Sequence, residues 1–290
     1  MRCIDRLNPH FGSVATSRPP DFQTFCLQDD PRGVWLAEDD GEIVGVALSW
    51  VCGRLWFLAE LFVAPDRQGQ GIGNELLHRT MVHASQAVAS EKSLITFAFN
   101  VVSQGLYVRH GLLPRVPIHL CSVQCESLAH QIQGPVLRTT PIRASAVDLE
   151  MLCQLDVSTL GVSRERHHGY LLGAPGMQGF FLEEKGERIG YAYIAETGHI
   201  GPLAVMHAPA MPGAFRAALA IAMEGDAKQV SAFIPGTSQA LTIAAQLGMR
   251  FTLPMVLSQR IVSAIGHAIF HATLAFCEPA ADNGISGVTV

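Results

Sequence analysis

The chain repeats itself, and that constrains its fold more than any other feature. Residues 35–47 read WLAEDDGEIVGVA and residues 180–192 read FFLEEKGERIGYA. Without gaps the two share Glu38 with Glu183, Gly41 with Gly186, Glu42 with Glu187, Gly45 with Gly190 and Ala47 with Ala192. Each is an apolar run, an acidic turn holding glycine, and a second apolar run, which is the pattern of a β-hairpin. Each half then offers a strand, a helix stopped by glycine and another strand. These fall at residues 94–99, 103–110 with Gly111, and 112–120, then at 230–234, 238–247 with Gly248, and 251–260. A glycine after a helical run supplies the left-handed conformation that ends it. From hairpin glycine to stop glycine the first half counts 111 − 45 = 66 residues and the second 248 − 190 = 58, so the second is eight shorter in its middle.

One supersecondary unit used twice implies two α/β domains. The spacing puts them at residues 1–122 and 136–262, with a linker over 123–135 and a C-terminal helix and tail over 263–290. At 290 residues the chain is long enough for both, and 49% hydrophobic against 16% charged residues suits two sizeable cores. The formal charge of -5 and the lack of a Lys/Arg block argue against nucleic acid and anionic membrane as partners. Seven cysteines without a C-x-x-C pair read as free thiols of a reducing, cytoplasmic setting. The N-terminus lacks a secretory pattern, and the apolar stretch 261–276 is too short to span a bilayer and contains His267 and His271. Ser263, His267 and His271 form a polar stripe there, so an amphipathic helix docking on a domain or on a second copy is expected. Neither that pair nor His167-His168 has a third ligand at metal-site spacing, so no metal is expected.

The first half's middle section reads LWFLAELFVAP over residues 55–65, then DRQGQGIGNELL. The first part suits a central strand buried on both faces, with Glu60 its one charge. Ile72, Leu76, Leu77, Met81, Ala84 and Val88 recur at helical spacing, so a helix starts near Gly71. Strand, glycine loop and helix in that order make an anion site. Gly69, Gly71 and Gly73 allow close backbone approach, and the first-turn N–H groups and helix dipole point at the charge. A Walker loop would need Lys followed by Ser or Thr. A dinucleotide fingerprint would need Gly or Ala where Asn74 stands.

Gln68-Gly69-Gln70-Gly71-Ile72-Gly73 instead fits Q-x-x-G-x-G, preceded by LFVAPD. Residues 100–112, NVVSQGLYVRHGL, fit N-x-x-[AS]-x-x-L-Y-x-x-x-G-[FL] through Asn100, Ser103, Leu106, Tyr107, Gly111 and Leu112. On these two motifs the chain resembles the GCN5-related N-acetyltransferase (GNAT) family, in a tandem form whose second domain is degenerate. The resemblance implies two GNAT-like domains, each a mixed, mostly antiparallel sheet flanked by helices. It also implies acetyl-CoA as cosubstrate, with the loop from Arg67 to Gly73 on its pyrophosphate. Phe62 and Val63 would offer backbone groups to the pantetheine arm, at a strand bulge made by the Pro65 break. Asn100 and Ser103 would bond that arm, although helix capping explains both equally well.

Amine acetylation by a thioester needs a base for the amine, hydrogen bonds to the developing oxyanion and an acid for the leaving thiolate. The resemblance gives the acid to Tyr107 and the base to Glu60; a buried Glu paired with Arg54 is the plain alternative. In the second half, HIGPLAVMHAPAMPG over residues 199–213 holds no such loop. Spacing from Gly248 puts Thr237 at the Asn100 place and Ala244 at the Tyr107 place. Asp156, Arg164 and Tyr193 are candidates for a cleft-facing role. The expected acceptor is a small-molecule or protein amine, and a second copy of the chain is a possible partner. The rival reading is a non-catalytic acetyl-CoA sensor or scaffold. The family usually opens with a strand and two helices, whereas here one short helix, residues 21–28, precedes Trp35.

Overall fold

A computed structural model describes residues 21–128 and 131–261, and in it the sequence repeat recurs in backbone detail. Strands β1 (Val34–Asp39) and β2 (Glu42–Cys52) join through Asp40 and Gly41, at φ 49° and 79°. Strands β7 (Met177–Glu184) and β8 (Glu187–Ala195) join through Lys185 and Gly186, at φ 53° and 89°. Two successive left-handed residues make the hairpin turn that matches strand twist. Both hairpins carry a register shift at matching places, Ala37/Glu38 and Leu182/Glu183, and 183 − 38 = 145 is the offset of the sequence repeat. Each hairpin adds a third antiparallel strand and then a parallel one. In the first repeat these are β3 (Leu55–Val63) and β4 (Glu91–Phe97); in the second, β9 (His199–Val205) and β10 (Gln229–Pro235).

Contacts divide the described chain into residues up to Leu94 and residues from Ile95 onward. In the first unit the strands run β1-β2-β3-β4. Helix α1 (Asp21–Asp29) packs on β2 and buries Phe22 and Cys26. Helix α2 (Ile72–Gln86) crosses β1 to β3 and buries Leu76, Leu77 and Ala84. Gly45 of β2 permits that approach: a Cβ there would lie 2.9 Å from Leu76 and 3.2 Å from Ile72.

The helical spacing of the sequence runs on to Val88, but the helix stops at Gln86. Val88 is 84% exposed at φ 57°. Its N–H donates to Ser85 and that of Ala89 to Ala84, the bonding of a Schellman cap with valine where glycine usually stands. A left-handed β-branched residue costs about 1–2 kcal/mol. We therefore expect Val88→Gly to stabilise the protein by about 1 kcal/mol, read as a higher urea midpoint at unchanged m-value. An unchanged or lower midpoint would contradict the strain.

The second unit contains helix α3 (Val101–Arg109), β5 (Leu113–Gln124), a four-residue helix α4 (Cys125–Leu128) and β6 (Arg138–Pro141). Helices α5 (Ala146–Leu160) and α6 (Glu165–Gly173) precede the β7–β8 hairpin. Helix α7 (Met211–Glu224) follows β9, and α8 (Gln239–Gln246) and β11 (Arg250–Ile261) close the unit. Its strand order is β11-β5-β10-β9-β8-β7-β6, with only β9–β10 parallel. The core lies under α7, whose Ala214, Phe215, Ala218 and Leu219 pack with Val230, Ile243 and Ala244. The last strand of the first repeat, β5, thus lies between the last two strands of the second, β10 and β11. Repeat and contact unit are different divisions of the same chain. The C-terminal helix and tail expected over 263–290 lie outside the described residues.

Candidate functional site

In the first unit β3 is paired on both edges only at its start. Its parallel ladder to β4 runs from Leu55–Glu91 to Leu58–Leu94 and ends there, while the ladder to β2 continues to Val63. Residues Leu55–Leu58 are mostly buried, and 59–63 are all half-exposed, so the expected burial on both faces holds for the first half of β3 alone. The bulge also lies elsewhere than the sequence suggests. Phe62 and Val63 pair regularly with Val46 and Gly45, and Ala64 N–H still donates to Val44, so Pro65 does not break the ladder. The extra residue is Ala59: Leu48 pairs with Glu60 and Ser49 with Leu58. A bulge re-aims the side chain beside it, and here that side chain is Glu60. Gln23 of α1 donates to Glu60 Oε1 at 2.7 Å. Arg54 pairs with Glu91, at 2.9 Å.

Past β3 a 3₁₀ turn, Pro65–Arg67, leads to the exposed residues Gln68–Gly71. Gln68 Nε2 donates to Val63 O at 3.1 Å, which ties the loop back to its strand. Gly69 and Gly71 sit at φ 78° and 87°, with open space where a Cβ would project. Gly71 is the N-cap of α2, and no side chain caps that 15-residue helix. An uncapped N-terminus behind an open, glycine-lined loop is suited to an anion with several oxygens. Ile72 and Gly73 form the first turn. Arg67 is held by Asp39 at 3.1 Å, with its Nε buried and lacking a hydrogen-bond partner among the described residues.

The other candidate residues lie on α3, in the second unit. Asn100 is its N-cap: Oδ1 accepts from Ser103 N–H at 3.1 Å. The amide oxygen is committed to the cap, which accounts for Asn100 without a ligand. Tyr107 is 5% exposed. Burial pushes its phenol well above the ordinary tyrosine value, and a hydrogen bond from the Ser103 side chain opposes that rise. The phenol therefore holds its proton throughout the neutral range. Leu106 is half-buried beside it.

The second repeat has the same plan with different contents. Its parallel ladder is shorter, pairing only His199 with Ser231 and Ile200 with Ala232. Beyond it, Leu203, Met211, Phe215, Phe233 and Ile234 leave a cavity of about 30 Å³. Eight residues, 64–71, join β3 to α2, but only five, 206–210, join β9 to α7, and Pro212 stands in the first turn of α7. The N-cap of α8 is Ser238, one residue beyond the Thr237 that spacing indicates, and Ala244 is fully buried.

Asp156, Arg164 and Tyr193, expected to face a cleft, are instead buried, in a network with His168 and Tyr191. Asp156 Oδ2 accepts from Arg164 Nε and His168 Nε2, each at 3.0 Å, and Tyr191 donates to Oδ1. His168 Nδ1 lies 2.9 Å from the Tyr193 hydroxyl. Burial would raise the Asp156 pKa, but the Arg164 charge and the bonds from His168 and Arg164 outweigh it and hold the carboxyl well below the usual range. His167, next to this cation, is driven down to about 3 by burial and by the Arg164 charge. Sequence spacing did not reveal Tyr191 or His168 as partners, because the network joins α5, α6 and β8. Among the described residues no group of three or more His, Cys, Asp or Glu is arranged to hold a metal, and no helix is long and apolar enough to cross a membrane.

Known proteins resemble this chain in sequence and in fold. The model of the acetyltransferase (GNAT) family matches residues 3–112. An uncharacterized N-acetyltransferase of Archaeoglobus fulgidus is 34% identical over 74 residues, which is 22% of this chain and 48% of that protein; the chain thus spans about half the length of this curated relative. Among solved structures, a Pyrococcus horikoshii protein is similar over 96% of this chain and 92% of its own, with TM-score 0.72 and 16% identity. A GCN5-related N-acetyltransferase from Sphaerobacter thermophilus is similar over 89% and 90%, with TM-score 0.58 and 15% identity. A tandem GNAT protein from the clavulanic acid biosynthesis pathway is similar over 89% and 93%, with TM-score 0.57 and 13% identity. At such identities the structural likeness is one of fold.

Proposed function

We propose that this chain, whose residues 3–112 match the model of the acetyltransferase (GNAT) family, is an acetyl-CoA-dependent N-acetyltransferase. The observation that carries the reading is the uncapped N-terminus of α2 behind left-handed Gly69 and Gly71, following a strand whose far edge, among the described residues, is unpaired beyond Leu58. These features fit the cosubstrate: converging N–H groups for a pyrophosphate, and the open strand edge of Phe62 and Val63 for an amide-bearing arm. Acetyl-CoA supplies the activated acyl group. Glu60 takes the proton of the attacking amine, directly or through a water. Tyr107, protonated at neutral pH, gives its proton to the departing sulfur and recovers one from solvent. The nitrogen–acyl bond forms as the carbon–sulfur bond breaks.

The acceptor is a primary amine, of small-molecule or protein origin. The test is release of free thiol from acetyl-CoA against spermidine, an aminoglycoside, a free amino acid and a lysine-containing peptide. Amine-dependent release supports the enzyme. Tight acetyl-CoA binding with no release against any amine would favour the sensor, which has no use for a buried, protonated Tyr107.

The second repeat, in this reading, holds no cosubstrate. Large apolar side chains line its strand split and leave a cavity of about 30 Å³, its connecting loop is three residues shorter, and alanine stands at the tyrosine place. Equilibrium binding should give one acetyl-CoA per chain. A stoichiometry of two, or coenzyme density beside residues 199–213, would overturn this assignment.

A further inference from the structure

Helix α1 supplies a side chain whose amide is only half satisfied. Gln23 Nε2 donates to Glu60 Oε1 at 2.7 Å. A carboxylate only accepts, so this bond fixes which end of the amide faces Glu60. The other end, Oε1, is then buried with no hydrogen-bond partner among the described residues. A buried, unpaired acceptor is a cost to folding, one that a methionine of the same length would avoid. From this expense at the side of one carboxylate, we infer that Gln23 is a positioning residue, holding Glu60 in one orientation and in its charged form. The inference rests on the reading of Glu60 as the base.

The backbone around Glu60 is held on one side. It follows the Ala59 bulge, on a stretch of β3 paired along one edge only. Opposite it on β2 stands the uncharged Leu48. On α1 the titratable neighbour is Cys26, whose thiol is pushed up to about 12 by burial, by Glu60 itself, and by Asp29, Asp30 and Cys52. That thiol is neutral and brings no charge. A donor on the carboxylate favours its ionised form, so the Gln23 amide lowers the pH at which Glu60 becomes a base.

The experiment is a pH titration of Glu60 by NMR with ¹³Cδ-labelled glutamate, its resonance assigned by Glu60→Gln, in the full chain and in Gln23→Met. Glu60 should titrate at higher pH in Gln23→Met, while the thermal midpoint stays equal or rises. An unchanged titration, or a lowered midpoint, would overturn the positioning role and leave Gln23 a structural residue. Rates are read beside it, with whichever of the four amines turns over. If Glu60 is the base, kcat/KM of Gln23→Met at pH 6 falls about 3- to 10-fold and recovers by pH 9. A moved titration with an unmoved rate profile would remove Glu60 from the mechanism and leave the tether standing. The two failures are thus distinguishable.

Discussion

Gly71→Trp should abolish detectable acetyl-CoA binding while the protein remains folded. The glycine is exposed, at φ 87°, with open space around its missing side chain. A Cβ there meets nothing within 4 Å, so the backbone cost is the strain of a left-handed non-glycine residue, about 1–2 kcal/mol. The space it fills is the space in which a phosphate would meet the first turn of α2. Gly71→Ala separates the two effects, since it carries the strain without the bulk. It should bind within about tenfold of the parent, whereas the Trp variant should give no heat in calorimetry at concentrations that saturate the parent. Equal affinity for parent and Trp variant would take the loop out of the binding site.

Tyr107→Phe should lower kcat by roughly 10²–10⁴, the usual range for a lost general acid, and leave acetyl-CoA affinity within a few-fold. The removed hydroxyl is buried and bonded to Ser103, four residues back on the same helix. The helix itself is held by its Asn100 cap and by packing on β5, neither of which the change touches. The parent phenol is pushed up by burial, so its loss of a proton should not limit the rate even at pH 9, below the ordinary phenol range. Full turnover by the Phe variant would assign the acid to another group or to water.

What was legible in the sequence was local. The two hairpins, the stop glycines and the loop before α2 are each written in a few adjacent residues whose backbone conformation is restricted. Asp40-Gly41 and Lys185-Gly186 are turns for the same reason in both halves. The family motifs are equally local, which is why the first repeat could be aligned from its residues alone. What remained hidden depends on pairing at a distance. The bulge at Ala59 is a matter of register against β2, and nothing in the apolar run WFLAEL marks which residue is extra. Gln23 and Glu60 are 37 residues apart, on a helix and a strand. Asp156, Arg164 and Tyr193 carry no sign in the sequence that they are buried together, because the His168 and Tyr191 that complete their network come from the packing of three elements. Val88 shows the opposite error, where periodicity continued past a cap that only the backbone reveals.

The place of β5 bears on how the chain comes off the ribosome. This strand is synthesised early, yet its neighbours β10 and β11 begin only at Gln229 and Arg250. Residues 125–249 must be made before β11 exists at all. At about 5–20 residues per second this delay is roughly 6–25 s. For that time β5 emerges with no strand to pair along either edge, and Val116, Ile118 and Leu120, later buried, are uncovered. Unpaired apolar edges recruit other chains. Such a nascent chain keeps an apolar edge uncovered until its last strand is made, and a gene cut between the repeats would turn a passing exposure into a permanent one.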